Sequence, residues 1–329
     1  MNPGDAHRTN EKATPSGPLS QVVPDVACLA QPIVNVYFVG VPGAGDRGWV
    51  LVDAGLPFCA SKIVSAAEHR FGTGARPSAI VMTHGHFDHV GALEELADRW
   101  DLPVYAHELE LPYLTGRSSY PPPDPSVGGG AMSWLSFLYP HGPVDVSAYA
   151  RLLPADGSLP GMPGWRWLHT PGHAPGHVAL FRENDGLLLA GDAFVTTQQE
   201  SAIQALTKPR HVRRPPAYYT TNWVAARLSV ELLADIQPTI AATGHGKPMR
   251  GDELRDELRV LAADFDQIAV PSHGRYVDQP ALSDERGVVC VPPAPSASPV
   301  LGGMAFAATM ALFLAARKWR AQRAEARST

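Results

Sequence analysis

The chain has 329 residues, of which 45% are hydrophobic and 18% are charged, and it carries a formal net charge of −5. This composition is typical of a folded protein with one large domain or two smaller ones, and it excludes a chain that is disordered throughout. The slightly acidic balance lacks the basic character of nucleic-acid-binding proteins, so we expect a small-molecule substrate and no nucleic-acid partner.

The N-terminal residues and the cysteines bear on where the protein works. Residues 1–22 are predicted to form a disordered tail, and they lack the apolar stretch of a signal peptide. The three cysteines, Cys28, Cys59 and Cys290, are scattered and odd in number, so they predict neither a disulfide framework nor a metal knuckle. Both observations favour a reducing, cytoplasmic compartment.

Residues 23–285 contain the regular elements of one predicted catalytic domain. Apolar or alternating runs that end at turn residues predict eight strands, and apolar residues at helical spacing predict four helices. The strands come in runs with helices interspersed, which predicts a mixed sheet or two sheets flanked by helices. The predicted strands are 34–41, 49–53, 79–83, 104–106, 165–169, 178–182, 187–190 and 239–242, and the predicted helices are 63–71, 92–100, 224–236 and 254–268.

Residues 115–146 interrupt this order with a segment that is rich in proline and glycine and then becomes aromatic. Long ordered loops of this kind often form lids or substrate walls, although a surface insertion has the same composition. We expect a lid that walls an apolar pocket, and therefore a substrate with an apolar acyl part. The predicted wall residues are Met132, Trp134, Leu135, Phe137, Leu138 and Tyr139.

The C-terminal part has a different character. Residues 286–299 are predicted to be a proline-rich linker, and residues 300–329 an apolar helix with a basic end. Residues 300–316 contain 17 residues without a charge, which is close to the shortest length that spans a bilayer. Two interpretations stay open: membrane association through a spanning helix, or an alanine-rich helix that docks on the domain or lies on a membrane surface.

The sequence HGHFDH at residues 84–89 places four metal-binding side chains directly after a predicted strand. In an extended segment, residues two apart face the same way, so His84 and His86 can share one metal ion. Once the chain turns towards the next helix, Asp88 and His89 point elsewhere and can bind a second ion nearby. The motif predicts a site at the edge of a sheet.

Four further predicted strands also end at or near a histidine or an aspartate. Asp53, Asp192 and His245 closely follow their strands, and His173 lies four residues beyond another. Side chains that follow neighbouring strands of a sheet meet at one edge, so these residues are candidates for the same site. An aspartate that caps a turn is the alternative for Asp53.

Taken in order, these motifs resemble those of the metallo-β-lactamase superfamily over roughly residues 28–270. The resemblance implies a four-layer αββα sandwich, in which two mixed β-sheets are flanked by helices and the active site lies at the open edge between the sheets. It implies that His84, His86 and His173 bind one metal ion, that Asp88, His89 and His245 bind a second, and that Asp192 bridges them. Asp88 is the ligand for which we also predict a catalytic role.

The ligand set suits two Zn²⁺ ions, although Fe or Mn occupy similar nitrogen and oxygen sites. Two such ions would lower the pKa of a bridging water towards 7, and the resulting hydroxide would attack an ester, thioester or lactone carbonyl. Asp53 is predicted to accept a hydrogen bond from a ligand histidine and to fix its tautomer. His177 has two interpretations, a structural turn residue or a contact of the site.

Differences between this chain and known branches of the superfamily limit the activities that we expect. Well-known β-lactamases of the superfamily have cysteine where this chain has Asp192, and lactonases that act on acyl-homoserine lactones have tyrosine at the position of Val195. The complete ligand set resembles the glyoxalase II, lactonase and tRNA-processing branch, and Lys208, Tyr218 and Tyr219 only loosely match glutathione-binding residues. A phosphodiesterase or nuclease, a non-hydrolytic iron enzyme and a metal-stabilised binding module remain as alternatives.

Overall fold

A computed structural model describes residues 19–207 and 209–295. Most of the predicted N-terminal tail, Lys208 and the predicted C-terminal helix at 300–329 lie outside the described residues. Among the helices of the described residues, none combines the length and the apolar character that a bilayer crossing requires.

The first sheet has seven strands in the order of the chain. The pairs β1–β2, β2–β3 and β3–β4 are antiparallel, and the pairs β4–β5, β5–β6 and β6–β7 are parallel. The parallel strands therefore end at the same edge of the sheet. The strands are β1 (Ser20–Val23), β2 (Val26–Ala30), β3 (Asn35–Val39), β4 (Val50–Val52), β5 (Ala79–Val81), β6 (Val104–Ala106) and β7 (Ala150–Leu152).

The second sheet has five strands in the order β12-β11-β10-β9-β8, and a separate hairpin follows it. Strands β10 and β11 are parallel, and the other pairs are antiparallel. The strands are β8 (Trp165–His169), β9 (Val178–Arg182), β10 (Leu187–Gly191), β11 (Ile240–Thr243) and β12 (Met249–Arg250), with β13 (Leu282–Asp284) and β14 (Gly287–Cys290) in the hairpin.

The α-helices are short, and none of those described exceeds 13 residues. They are α1 (Ala60–Phe71), α2 (Phe87–Val90), α3 (Leu93–Trp100), α4 (Leu111–Leu114), α5 (Ala131–Trp134), α6 (Ala202–Thr207), α7 (Trp223–Asp235), α8 (Gly251–Ala263) and α9 (Phe265–Ile268).

Alternating side chains of the strands build three apolar layers. On β4, Val50 and Val52 face the second sheet, whereas Leu51 packs with α1 and α3. On β10, Leu187 and Leu189 face the first sheet, whereas Leu188 packs with α7 and α8. Because both faces of each sheet are buried in this way, the four layers follow the order helix, sheet, sheet, helix. The predicted αββα sandwich is thus confirmed.

All eight predicted strands and all four predicted helical segments are present, with one helix divided at Asp264 into α8 and α9. Strand β2 was not predicted, since alanine and cysteine in VACLA give a weak strand signal. Short strands such as β7 and β12 were not predicted either, because they are defined by pairing with a neighbour and not by their own pattern.

Two predicted boundaries were wrong. Residues 20–22, placed in the disordered tail, belong to β1, because Ser20 and Gln21 pair with Cys28 and Ala27 of β2. Residues 287–290, placed in the linker, form β14, which pairs with β13. The hairpin is attached to the preceding part of the domain, because the Val288 N–H of β14 donates a hydrogen bond to the Ser118 hydroxyl at 3.2 Å.

We expect a chain that ends at residue 294 to fold with an unchanged midpoint of thermal unfolding and an unchanged metal content. The reason is that the compact unit built by the two sheets ends at Pro292. Calorimetry and elemental analysis of the truncated and full-length proteins check this expectation. A truncated protein that aggregates or loses its metal would show that the C-terminal segment is part of the folded core.

Candidate metal centre

The ends of strands from both sheets converge on one site. Asp53 follows β4, and the HGHFDH segment follows the parallel strand β5. Asp192 and His245 follow the parallel strands β10 and β11 of the second sheet, and His173 lies between β8 and β9. All seven predicted ligands are buried there: His84, His86, Asp88, His89, His173, Asp192 and His245.

The HGHFDH segment changes conformation after His86. His86 is extended, with φ −66° and ψ 154°, and helix α2 begins at Phe87. His84 and His86 therefore form one group of ligand atoms with His173, whereas Asp88 and His89 form another with His245. Within each group, the ligand atoms lie within 4.8 Å of one another. A third group, formed by His84, His89 and Asp192, overlaps both, so the predicted division between two ions is not settled by these distances.

The Asp192 carboxylate lies between the two groups. Its Oδ2 atom is 2.8 Å from His245 Nε2 and 3.6 Å from His89 Nε2, and it is 3.4 Å from His173 Nε2 in the other group. A carboxylate that bridges two ions needs this central position. The assignment of the seven ligands to two ions stays a prediction.

Asp53 controls the tautomers of two ligand histidines, and the predicted contact is present. Its Oδ2 atom accepts a hydrogen bond from His89 Nδ1 at 2.8 Å and another from the Thr83 hydroxyl at 2.8 Å. Because the hydroxyl proton of Thr83 is donated to Asp53, Thr83 accepts the hydrogen bond from His84 Nδ1 at 3.1 Å. The Nε2 lone pairs of His84 and His89 are thus left for a cation.

His173 and His245 are oriented in the same way by other partners. Thr220 donates its hydroxyl proton to the Pro216 carbonyl at 2.9 Å, so it accepts the hydrogen bond from His173 Nδ1 at 3.3 Å. His245 Nδ1 donates to the carbonyl of Ile33. The Nε2 atoms of both rings therefore point towards Asp192, and the protonated ring of His245 donates a hydrogen bond from Nε2 to the Asp192 carboxylate at 2.8 Å.

Burial keeps the first group of imidazoles neutral. It lowers the pKa of His84 and His86 well below the usual range, and their mutual repulsion as cations lowers it further. Burial also lowers the pKa of His173 to about 3, although Asp192 opposes that shift. Neutral imidazoles are the form that binds metal, so this group needs no deprotonation near neutral pH.

The second group has the opposite balance. Burial alone would lower the pKa of His89 and His245, but the nearby carboxylates, above all Asp192, outweigh burial and raise it. Burial acts to raise the pKa of Asp192, but His245 and His89 outweigh it and lower the pKa well below its usual range. Burial raises the pKa of Asp88. In the metal-free protein, positive histidines thus balance the buried carboxylates.

The unpaired polar atoms of the site fit bound cations. Within residues 19–207 and 209–295, the buried atoms His84 Nε2, His89 Nε2 and Asp192 Oδ1 have no hydrogen-bond partner. Buried polar atoms are nearly always paired, and three unpaired ones in one place call for a ligand. His86 Nδ1 also lies 2.9 Å from His173 Nε2, a separation at which the two ring nitrogens can share a proton or a cation. The donor set of imidazoles and carboxylates suits zinc, iron or manganese.

His177 contacts the site, which is one of the two interpretations that the sequence left open. Its Nε2 atom accepts a hydrogen bond from the Asp192 N–H at 2.8 Å, so its proton is on Nδ1, 2.8 Å from the Thr170 hydroxyl. Burial lowers the pKa of His177 to about 3, which keeps the ring neutral and able to accept. His177 thus holds the backbone of Asp192 and is not a ligand.

Asn35 was not predicted, and it joins the two sheets. It lies on β3 of the first sheet, and its Nδ2 atom donates to the carbonyls of Thr243 at 2.9 Å and Gly246 at 2.8 Å. These bonds fix the loop that carries His245. Within the loop, a side chain at Gly244 would place its Cβ atom 2.0 Å from Asp192 Oδ1, so only glycine fits. A polar residue at the start of a buried strand was the available signal.

Aromatic side chains flank the ligand His86. Tyr219 stacks on its ring with a centroid distance of 4.3 Å, and Tyr120 lies at 4.5 Å. Of the predicted wall residues of the lid, Met132 and Tyr139 pack with Phe87 against the cluster that contains Tyr219. Three others are exposed by 40% or more of their surface: Trp134, Phe137 and Leu138.

A two-sheet sandwich with helices on both faces and a buried cluster of histidines and aspartates at its strand ends is the architecture of a class of metallohydrolases. The family model described as "Metallo-beta-lactamase superfamily" matches residues 30–245 and includes every predicted ligand. The chain belongs to this superfamily, and the predicted resemblance is confirmed.

Several relatives of this chain are named as hydrolases. The probable metallo-hydrolase YflN of Bacillus subtilis (strain 168) is 44% identical over 234 residues, which cover 71% of this chain and 88% of that protein. The hydroxyacylglutathione hydrolase of Xanthomonas euvesicatoria pv. vesicatoria (strain 85-10) is 29% identical over 164 residues, 50% of this chain and 49% of its own. The protein is therefore a metal-dependent hydrolase.

A solved structure shows the same fold. A beta-lactamase domain protein from Burkholderia ambifaria covers 78% of this chain and 79% of its own, with 22% identity and a TM-score of 0.53.

We expect the wild-type protein to hold about two metal ions per chain and the Asp192→Ala variant to hold about one or none, with loss of turnover, because Asp192 contacts both ligand groups. Elemental analysis of the purified proteins checks this. Asp278→Ala, at an exposed aspartate, is the control and should keep the wild-type metal content. Wild-type metal content and activity in Asp192→Ala would show that this carboxylate does not bridge.

We also expect metal binding to release protons. Carboxylates raise the pKa of His89 and His245, so these rings hold protons at a higher pH than a free imidazole, and a cation must displace them. The apparent affinity for Zn²⁺ should accordingly rise as the pH increases through neutrality. Titration calorimetry of the metal-free protein in buffers of different ionisation enthalpy measures the proton release. His211→Ala is the control, because His211 is an exposed histidine that also has a carboxylate partner, Glu257. A binding heat that is independent of the buffer would contradict the expectation.

Proposed function

We propose that this protein is a dinuclear metal-dependent hydrolase of carboxylic esters, thioesters or lactones. The observation that carries the proposal is the position of Asp192, whose Oδ2 atom lies 2.8 to 3.6 Å from three ligand histidines that belong to both groups. Two ligand groups that share a carboxylate suit two ions better than one, since seven ligands exceed what one ion accepts.

In this proposal, His84, His86 and His173 hold one ion, and Asp88, His89 and His245 hold the other. A pair of divalent cations supplies an activated water and polarises the scissile carbonyl oxygen. The chain itself orients the imidazoles through Asp53, Thr83, Thr220 and Ile33, so that the Nε2 atoms of four ligand histidines point into the site before a cation binds. We propose Zn²⁺ for both positions, with Fe or Mn as the alternatives that elemental analysis would reveal.

The carboxylate of Asp88 is the candidate for proton transfer during the reaction. It lies among the ligands, with Oδ2 3.6 Å from His245 Nε2. As a proposed ligand of the second ion, this carboxylate would stand beside the activated water, where a group that accepts its proton must lie. We propose that Asp88 holds the proton released by the attacking water and delivers it to the leaving group.

We propose an apolar acyl group as the part of the substrate that the lid contacts. Tyr139 lies 5.5 Å from Phe87 and 6.4 Å from Tyr219 between ring centroids, and Tyr219 stacks on the ligand His86. Met132 is held beside them, because the Tyr139 hydroxyl donates to its sulfur at 3.4 Å. An apolar wall therefore adjoins the metal ligands. The relatives named hydroxyacylglutathione hydrolases, whose name specifies an acyl conjugate, support an acyl substrate.

We expect kcat/KM for p-nitrophenyl esters to rise about fourfold for each added acyl methylene until the pocket is filled, since burial of one methylene contributes about 0.8 kcal/mol. Met132→Ala should flatten this rise. Val260→Ala, at an exposed residue of α8, is the matched control and should keep the wild-type profile. Steady-state rates for the three metal-loaded proteins, with thioesters and lactones in parallel, give the comparison.

Each result of this series has a defined meaning. A flat profile in the wild-type protein contradicts the apolar acyl group, and an unchanged slope in Met132→Ala contradicts the role of the lid. Turnover of bis(p-nitrophenyl) phosphate without turnover of any acyl substrate would replace the proposal with a phosphodiesterase. A metal-loaded protein that hydrolyses neither would favour a binding module or a non-hydrolytic iron enzyme.

A further inference from the structure

Glu110 is a buried carboxylate beside the metal centre that none of the functional motifs includes. It ends the 3₁₀ turn Glu108–Glu110 after β6 and has no exposed surface. Its Oε2 atom accepts a hydrogen bond from the Gly85 N–H at 2.8 Å, and its Oε1 atom accepts one from the Gly176 N–H at 2.8 Å. Each carboxylate oxygen is thus bound to a different loop.

Both loops carry ligands of the first group. Gly85 lies between His84 and His86, and Gly176 lies three residues after His173. One side chain therefore connects the two backbone segments whose imidazoles must be held at a fixed separation. The three rings lie together, with centroids 4.7 Å apart for His84 and His86 and 5.0 Å apart for His84 and His173.

The approach of the second loop to Glu110 leaves no space for another side chain. A Cβ atom at Gly176 would lie 2.9 Å from Glu110 Cγ and 2.9 Å from its backbone nitrogen. A carboxylate offers two acceptors and no donor, and this matches two converging N–H groups. An amide of the same shape would point N–H groups at one of the two loops.

Tyr120 completes the arrangement from the 115–146 segment. Its hydroxyl donates to Glu110 Oε2 and accepts from the Gly85 N–H at 2.9 Å. Its ring lies 4.5 Å from the ring of His86. Burial raises the pKa of Glu110 to about 7 in spite of these three donors, so this carboxylate is kept in place at a cost in desolvation.

We propose that Glu110 is a positioning residue that sets the separation of His84, His86 and His173 for the first metal ion without contacting that ion. The inference rests on the proposed dinuclear function. Its consequence is selective: loss of Glu110 would weaken the first ion more than the second, because the hydrogen bonds of Glu110 adjoin His84, His86 and His173, whereas Asp88 and His89 lie on helix α2 and His245 on another loop.

The experiment measures Zn²⁺ binding to the metal-free full-length protein by competition with a chromophoric chelator, together with thermal unfolding of the same samples. Glu110→Gln should weaken one of two sites by about 10- to 100-fold, the usual effect of removing a partner of a ligand, and leave the other unchanged. Tyr120→Phe, which keeps both backbone contacts of Glu110, should have a smaller effect. Glu108→Gln, at an exposed residue of the same turn, is the matched control and should match the wild type.

Two results would overturn the inference: wild-type affinity at both sites in Glu110→Gln, or equal weakening of both sites in a protein that has lost its cooperative unfolding. If Glu110→Ala fails to fold, Glu110→Gln and Tyr120→Phe decide. A wild-type protein that binds a single ion contradicts the dinuclear function instead. In that case the affinity for the single ion is compared between Glu110→Gln and the wild type, and an unchanged affinity overturns the role of Glu110.

Discussion

The site depends on the hydrogen bonds of one buried carboxylate, that of Asp53. It accepts from the Thr83 N–H, from the Thr83 hydroxyl and from His89 Nδ1, and its own N–H donates to Val81. These bonds tie the end of β4 to the end of β5 and settle the tautomers of His84 and His89. Asp53 is held at φ 62°, a left-handed conformation that costs a non-glycine residue about 1–3 kcal/mol. The surrounding hydrogen bonds must offset that cost.

The site also requires the two sheets to pack against each other in one fixed relative position. Asn35 and Ile33 reach from the first sheet to the loop of His245 in the second, and Glu110 connects the loops of His84 and His173. These contacts form only if the apolar layer between the sheets is correctly packed. The packing of Val50 and Val52 against Leu187 and Leu189 between the sheets therefore supports the geometry of the site as well as the stability of the core.

The sequence was sufficient for features that depend on neighbours in the chain. His84 and His86 follow the period of an extended segment, and Asp88 and His89 follow the start of a helix, so the change of conformation after His86 was predictable. The strands were predictable for the same reason, because their apolar patterns are local.

Features that depend on tertiary contacts were not predictable. Glu110 lies in a segment, HELE, that has no functional pattern, and its role is visible only once Gly85 and Gly176 are brought against it. The predicted lid shows a related limit. Its apolar composition predicted a wall, but only the fold shows that Met132 and Tyr139 pack against the cluster that contains Tyr219 whereas Trp134 is exposed.

The unpaired atoms His84 Nε2, His89 Nε2 and Asp192 Oδ1 have a consequence for the stability of the folded chain. A folded chain without cations keeps these groups buried and unsatisfied, and each one costs about 1–3 kcal/mol. A ligand that binds only the native state stabilises it by about 2.7 kcal/mol at a free concentration one hundred times its dissociation constant. Cations bound at this site would therefore stabilise the folded chain, and a chain without them would unfold more readily and be more exposed to proteolysis.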